Sequence, residues 1–235
     1  MILYVNGDSH TAAAEAVNMY KVASDDSKYF YMGEVPHPDN LSVSWGQILS
    51  DSLKTTFHCH AQAGCSNDRI MRTTQDFLTK FEHEKTNLLI VIQWSTWERQ
   101  EWLIDGKYYQ VGSPGFDNVP ESHQQKYKKF ISNINLKALT ESAHNKIWAL
   151  HEQLEQLQIP HIFFNGNNDF SEIGNRKDWG NSYIGPYDKN KTYDAVLKAA
   201  GYKTISPESW HFGPDAHRHW AKHMLQCIIA NKFIK

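Results

Sequence analysis

Little in this sequence suits an exported, membrane-spanning or nucleic-acid-binding protein. Among 235 residues there are three cysteines, Cys59, Cys65 and Cys227. They are odd in number and lack the spacing of a zinc site, so reduced thiols are expected. No apolar run nears the roughly 18 to 20 residues of a membrane span. The apolar start, Met1 to Val5, is too short for a secretory h-region. The expectation is a cytoplasmic-type protein with no membrane partner; an extracellular substrate would be reached by lysis or as part of a virus particle. Formal net charge is −2 and no basic run occurs, so no nucleic-acid partner is expected. Internal repeats and low-complexity tracts are absent as well.

What is there reads as strands alternating with helices. Hydrophobic residues make up 40% and charged residues 21% of the chain, enough for a packed core. The length fits one domain, 1–235, with insertions near 21–44, 100–122 and 170–191. Ile2–Val5, Thr55–His60, Leu88–Ile92, Pro160–Phe164 and Lys203–Ile205 read as strands. Helical patterns cover Thr11–Tyr20, Trp45–Leu53, Arg69–Phe81, His123–Leu157 with a break near Asn133–Asn135, Thr192–Ala200 and Pro214–Ile229. Tyr108–Gln124 and Phe170–Lys191 read as long irregular segments. The pattern predicts an α/β fold, a three-layer α/β/α sandwich (flavodoxin-like) with about five parallel strands. Reactive groups then belong at the carboxyl ends of the strands.

Two such ends carry complementary chemistry. Gly7-Asp8-Ser9 leaves the first strand, and a serine hydroxyl needs a neighbouring base to become a nucleophile. Glu208-Ser209-Trp210-His211 follows the last strand. A carboxylate three residues before a histidine can turn back to one ring N–H and leave the other nitrogen facing the serine. Gly64 offers a backbone N–H unobstructed by a side chain, which with the Ser9 N–H would form an oxyanion hole.

Three blocks in order resemble the SGNH/GDSL hydrolases. They are Gly7-Asp8-Ser9; Ser44-Trp45 through Ala63-Gly64-Cys65-Ser66-Asn67; and Glu208 to Ala221 with His211, Pro214 and His217. The resemblance spans nearly the whole chain and implies a serine esterase working through an acyl-enzyme, with no metal or organic cofactor. Ser9 would be the nucleophile, His211 the base and Glu208 its orienting carboxylate. The Gly-x-Ser-x-Gly nucleophile elbow of the α/β-hydrolase fold is absent. The family's Gly-x-Asn-Asp block is altered, because Leu88–Ile92 runs into Gln93-Trp94-Ser95-Thr96-Trp97-Glu98-Arg99. Ser95 or Thr96 would supply the third oxyanion donor as a hydroxyl. A literal Gly166-Asn167-Asn168-Asp169 occurs one strand later, with Asn168 as rival donor or substrate contact. Glu208 also stands where the family has Asp.

The substrate implied is a small acyl ester, such as an O-acetyl group on a carbohydrate. Trp94 and Trp97 would line the sugar face, Arg99 would meet an anionic group or pair with Glu98 or Glu101, and Asn67 would contact substrate. Against these stand plainer readings: Ser9 as turn serine, aromatics as core, and His58 with His60 as packing rather than two zinc ligands. Asp8 could orient a base or shape its turn. The rivals for function are a catalytically quiet member of the same fold, used for binding or as a virion component, and a thiol enzyme built on Cys65. Oligomeric state has no signature in the sequence.

Overall fold

A computed structural model describes residues 1–19, 35–112 and 119–234. Four parallel strands form the main sheet: β1 (Ile2–Asn6), β2 (Thr56–Cys59), β3 (Leu88–Trp94) and, after the hairpin described below, β6 (His161–Asn165), in the order β2-β1-β3-β6. β1 and β3 are buried at every residue, which is why they read as continuous apolar runs. Register Leu3↔Leu89 and Val91↔Ile162 aligns the alternating side chains into two faces.

One face presents Tyr4, Ile90, Ile92 and Phe163 to α3 (Asn67–Lys80) and α5 (Leu136–Gln156), through Ile70, Phe77, Ile147, Leu150 and Leu154. The other presents Leu3, Val5, Leu89, Val91, Ile162 and Phe164. It meets α2 (Trp45–Leu53), α6 (Tyr193–Ala199) and α7 (Pro214–Ala230) through Trp45, Leu49, Leu197, Trp220, Met224 and Ile228. These are the three layers that the alternation of elements predicts. Among the described residues the remaining α-helices are the short α1 (Pro38–Ser42) and α4 (Gln124–Ser132), which meets α5 at the expected break.

Three expectations change. Lys203–Ile205 does not join the sheet; only an isolated antiparallel bridge, Thr204↔Phe212, forms there, so the sheet has four strands. The start of the 100–122 insertion is a hairpin, β4 (Gln100–Ile104) with β5 (Lys107–Val111). Its tip is Asp105-Gly106, at φ 48° and 77°, and a two-residue turn with both central φ positive matches the right-handed twist of a hairpin. Arg72 on α3 docks it with two 2.8 Å bonds to Glu101, which also accepts from Gln110 at 2.8 Å. Finally, residues 11–19 are turns rather than a helix. Ala14 N–H closes on Ser9 O at 2.9 Å, and Ala13 and Glu15 take φ of 50° and 63°. Tyr20 and most of the 21–44 insertion lie outside the described residues.

Candidate active site

The loop leaving β1 is fixed from below by Asn6. Its Oδ1 accepts from Gly7 N–H at 2.9 Å, and its Nδ2 donates to Ile70 O at 3.1 Å and Thr73 Oγ1 at 2.9 Å. Gly7 is needed by space: a Cβ there would lie 2.3 Å from Thr11 Oγ1 and 3.0 Å from Gln93 Cβ. The turn after β2 docks on the same residue, with Gln62 N–H at 3.1 Å and Cys65 Sγ at 3.3 Å from Gly7 O. Gly64, at φ 71° in the left-handed region, belongs to that turn.

Asp8 is the buried anchor. Its Oδ1 accepts from His10 N–H (3.0 Å) and Gln93 Nε2 (2.8 Å), and its Oδ2 from Ser95 Oγ (2.9 Å) and Arg99 (3.3 Å). Burial alone would raise this carboxyl, yet His10, Arg99 and the hydrogen-bond donors together hold it below the ordinary range. Asp8 thus shapes the turn that presents Ser9, and does not orient a base. Thr11 completes the lattice by donating to Gln93 Oε1 at 2.8 Å.

His211 stands on the same side of the molecule. Its ring lies 5.6 Å, centroid to centroid, from that of His10, the residue after Ser9. The partner of His211 Nδ1 is Glu15, at 2.7 Å, and not Glu208, which is exposed. Ser209 Oγ also donates to Glu15 Oε2 at 2.7 Å and accepts from His211 N–H at 3.0 Å. Burial pushes the Glu15 carboxyl up, but the hydrogen bonds from His211 and Ser209 outweigh it and hold it below its ordinary value. An ionised carboxylate only accepts, so His211 donates from Nδ1, and in the neutral ring this leaves Nε2 as the lone pair. Two other histidines line this region. Burial lowers His10, whose Nδ1 is buried without a partner among the described residues. Burial pushes His217 down to about 3, and its Nδ1 accepts from Trp45 N–H at 3.2 Å.

The residues expected around this centre divide. Ser95 is buried and its hydroxyl is spent on Asp8, which leaves Thr96, whose buried Oγ1 has no partner among the described residues. Asn67 is not free for substrate: it clamps the β3 exit, accepting from Ser95 N–H at 2.8 Å and donating to Ser95 O at 3.0 Å. Trp94 is fully buried and Trp97 nearly so, stacked on Phe170 at 4.6 Å, so both are core rather than a sugar-facing rim. Arg99 pairs with Asp8 and Ser95, not with Glu98 or Glu101. Asn168 is half-buried in the loop after β6, one strand beyond the β3 exit. His58 and His60 pack on Phe77 and Phe81. Cys65 is buried and its thiol pushed up to about 12 by that burial, which disfavours a thiolate nucleophile.

The sequence reading missed Glu15, Gln93 and Trp210. Glu15 was hidden because an Ala-rich segment reads as helix. Trp210 is 72% exposed beside His211, the most exposed indole among the described residues.

Comparison with known proteins agrees with the architecture. Residues 38–148 match a family of unknown function (DUF6071). No curated protein matches the chain. Among solved structures, a carbohydrate esterase with divergent catalytic and non-catalytic binding functions superposes at TM-score 0.50 with 14% identity, over 97% of this chain and 64% of that one. An acetyl xylan esterase from the rumen bacterium Butyrivibrio proteoclasticus gives 0.46 and 13%, over 99% and 65%. A putative lipolytic protein of the G-D-S-L family from Desulfitobacterium hafniense gives 0.36 and 12%, over 96% and 98%. The fold is of the same α/β type as that of the first of these, a parallel sheet with helices on both faces. The chain spans about two thirds of the length of the two esterases, and at these identities the likeness is one of fold. Among the described residues, no helix is long and apolar enough to cross a membrane.

Proposed function

We propose that the protein is a serine esterase. The observation that carries this reading is the 2.7 Å bond between His211 Nδ1 and Glu15 beside the turn that holds Ser9. Ser9 Oγ attacks the ester carbonyl carbon while His211 Nε2 takes its proton. The Ser9 and Gly64 N–H groups, with the Thr96 hydroxyl, receive the developing oxyanion. The protonated imidazole, stabilised by Glu15, passes its proton to the leaving alcohol as the C–O bond breaks. A water then attacks the acyl-enzyme, His211 again acting as base, and releases the acid and free Ser9. Arg99, half-exposed beside Asp8, adds positive potential at the same edge.

The acyl group is small and the alcohol is a carbohydrate. Trp210 supports this, because an exposed indole next to the base offers a flat apolar face to a sugar ring. Hydrolysis of p-nitrophenyl acetate and of acetylated oligosaccharides tests both parts. Ser9→Ala should abolish both activities, and Trp210→Ala should raise KM for the oligosaccharide only. Wild-type rates in Ser9→Ala would refute the reading.

A second reading, a catalytically quiet binding or virion module of the same fold, is favoured by one feature. Gln93 and Ser95, at the position of the family's third block, both turn their donors to Asp8. A soluble protein that binds acetylated glycans without turnover would fit it.

A further inference from the structure

The amino edge of the sheet, opposite the edge that carries Ser9, holds a second cluster of reactive groups. His151 and Glu155 lie four residues apart on one face of α5. The chain then reverses through Gln158, at φ 54°, and enters β6 at His161. His151 Nδ1 and His161 Nε2 are 2.9 Å apart, and Glu155 Oε1 is 3.9 Å from His161 Nε2. One ligand atom from each of the three residues falls within 4.8 Å of the others.

We propose that His151, Glu155 and His161 bind a divalent transition-metal ion, Zn²⁺ foremost. Two nitrogens about 2.0–2.1 Å from one ion stand about 2.9–3.4 Å apart across octahedral or tetrahedral angles, so the histidine pair already has the spacing of joint ligands. His161 is oriented as ligating histidines are: Nδ1 donates to Ile159 O at 2.9 Å, which leaves the Nε2 lone pair for the metal. In the metal-free protein His151 Nδ1–H donates to that lone pair. The ion replaces this hydrogen bond, and neutral His151 carries its proton on Nε2 instead. Glu155 is 59% exposed, so it closes over the ion from solvent with water completing the shell, and Ser182 Oγ steadies its Oε1 at 3.5 Å.

Charge supports a cation here. The His161 side chain is fully buried, and burial favours the neutral imidazole that a metal ion needs. Glu155, Glu152 and Asp178 all act on His151. Among the described residues none of these three carboxylates is ion-paired with Lys or Arg. The mixed nitrogen and oxygen donor set suits Zn²⁺ better than Ca²⁺ or Mg²⁺.

Isothermal titration of the chelator-treated full chain with Zn²⁺, and of the same protein with Co²⁺ followed by visible absorption, tests the site. One ion per chain is expected, with Co²⁺ giving ligand-field bands. Glu155→Gln, at an exposed position that leaves the fold intact, should weaken binding at least about tenfold. His161→Gln should abolish it. If His161→Gln does not fold, Glu155→Gln with His151→Gln decides alone. Absence of binding by the wild type, or equal affinity in wild type and Glu155→Gln, overturns the proposal.

Discussion

Glu15 holds a left-handed backbone, φ 63°, two residues after Ala13 at 50°. Non-glycine residues in that region cost on the order of 1 kcal/mol each and persist where surrounding contacts impose them. Here the imposing contacts are Glu15 to His211 and Ser209. Local strain thus delivers a carboxylate from the loop that carries Ser9, six residues after it, to a histidine at the other end of the chain. Glu15→Gln should lower kcat by about two to four orders of magnitude, because the amide no longer fixes the Nδ1–H tautomer or stabilises the imidazolium. Glu208→Gln, exposed and away from the ring, should leave kcat unchanged; p-nitrophenyl acetate kinetics of the pair checks both. At the β3 exit, Thr96→Val should lower kcat with little change in KM, the signature of a contact made only in the transition state. Ser95→Ala acts differently. It removes a donor from Asp8 and should lower stability, measured by urea denaturation, as well as activity.

Elements built from continuous apolar runs were legible in the sequence, and elements set by turn chemistry were less so. β1, β3 and β6 are buried on both faces, so Ile2–Val5, Leu88–Ile92 and Pro160–Phe164 could be read directly. Residues 11–19 are not helical because Asp8 and Thr11 commit their side chains to Gln93 and the loop backbone, a tertiary override of alanine propensity. The β4–β5 hairpin did carry a signal: Asp105-Gly106 between alternating residues is strong two-residue turn chemistry. Its docking rests on Arg72, which also stacks over Tyr108 at 3.9 Å. Arg72→Ala would leave the Glu101 carboxylate, whose side chain is 4% exposed, with Gln110 as its remaining donor. A loss of about 2–3 kcal/mol in urea denaturation is expected. The pairing of His211 with Glu15 had no such signal, since no spacing rule links residues 196 apart.

Across the whole molecule, the order β2-β1-β3-β6 puts the exits of β1, β2 and β3 side by side. That arrangement is why Gly7–Ser9, Gly64 and Ser95, far apart in sequence, converge on one edge, as open parallel sheets require. The same convergence buries histidines around it. His217 has its folded pKa lowered by burial from 6.5 to about 3, so the unfolded chain binds the proton first. Stability is therefore present above pH 6.5 and is lost as pH falls toward 3, by about 1.4 kcal/mol per pH unit in that window. Asp8 and Glu15, lowered from 3.8 and 4.5, contribute stability above those values that is lost below them. Urea midpoints between pH 7 and 4 should fall steadily in the wild type and less steeply in His217→Asn. An equal slope in the two proteins would count against a buried neutral His217.

The central claim is that Ser9 is a nucleophile activated by His211 and Glu15, and covalent trapping tests it most directly. The wild-type protein is incubated with a fluorophosphonate and the adduct located by peptide mass spectrometry. One adduct per chain is expected, on Ser9, absent in Ser9→Ala and strongly slowed in Glu15→Gln. No adduct on the folded wild-type protein, or an adduct on another residue that persists in Ser9→Ala, would contradict the assignment.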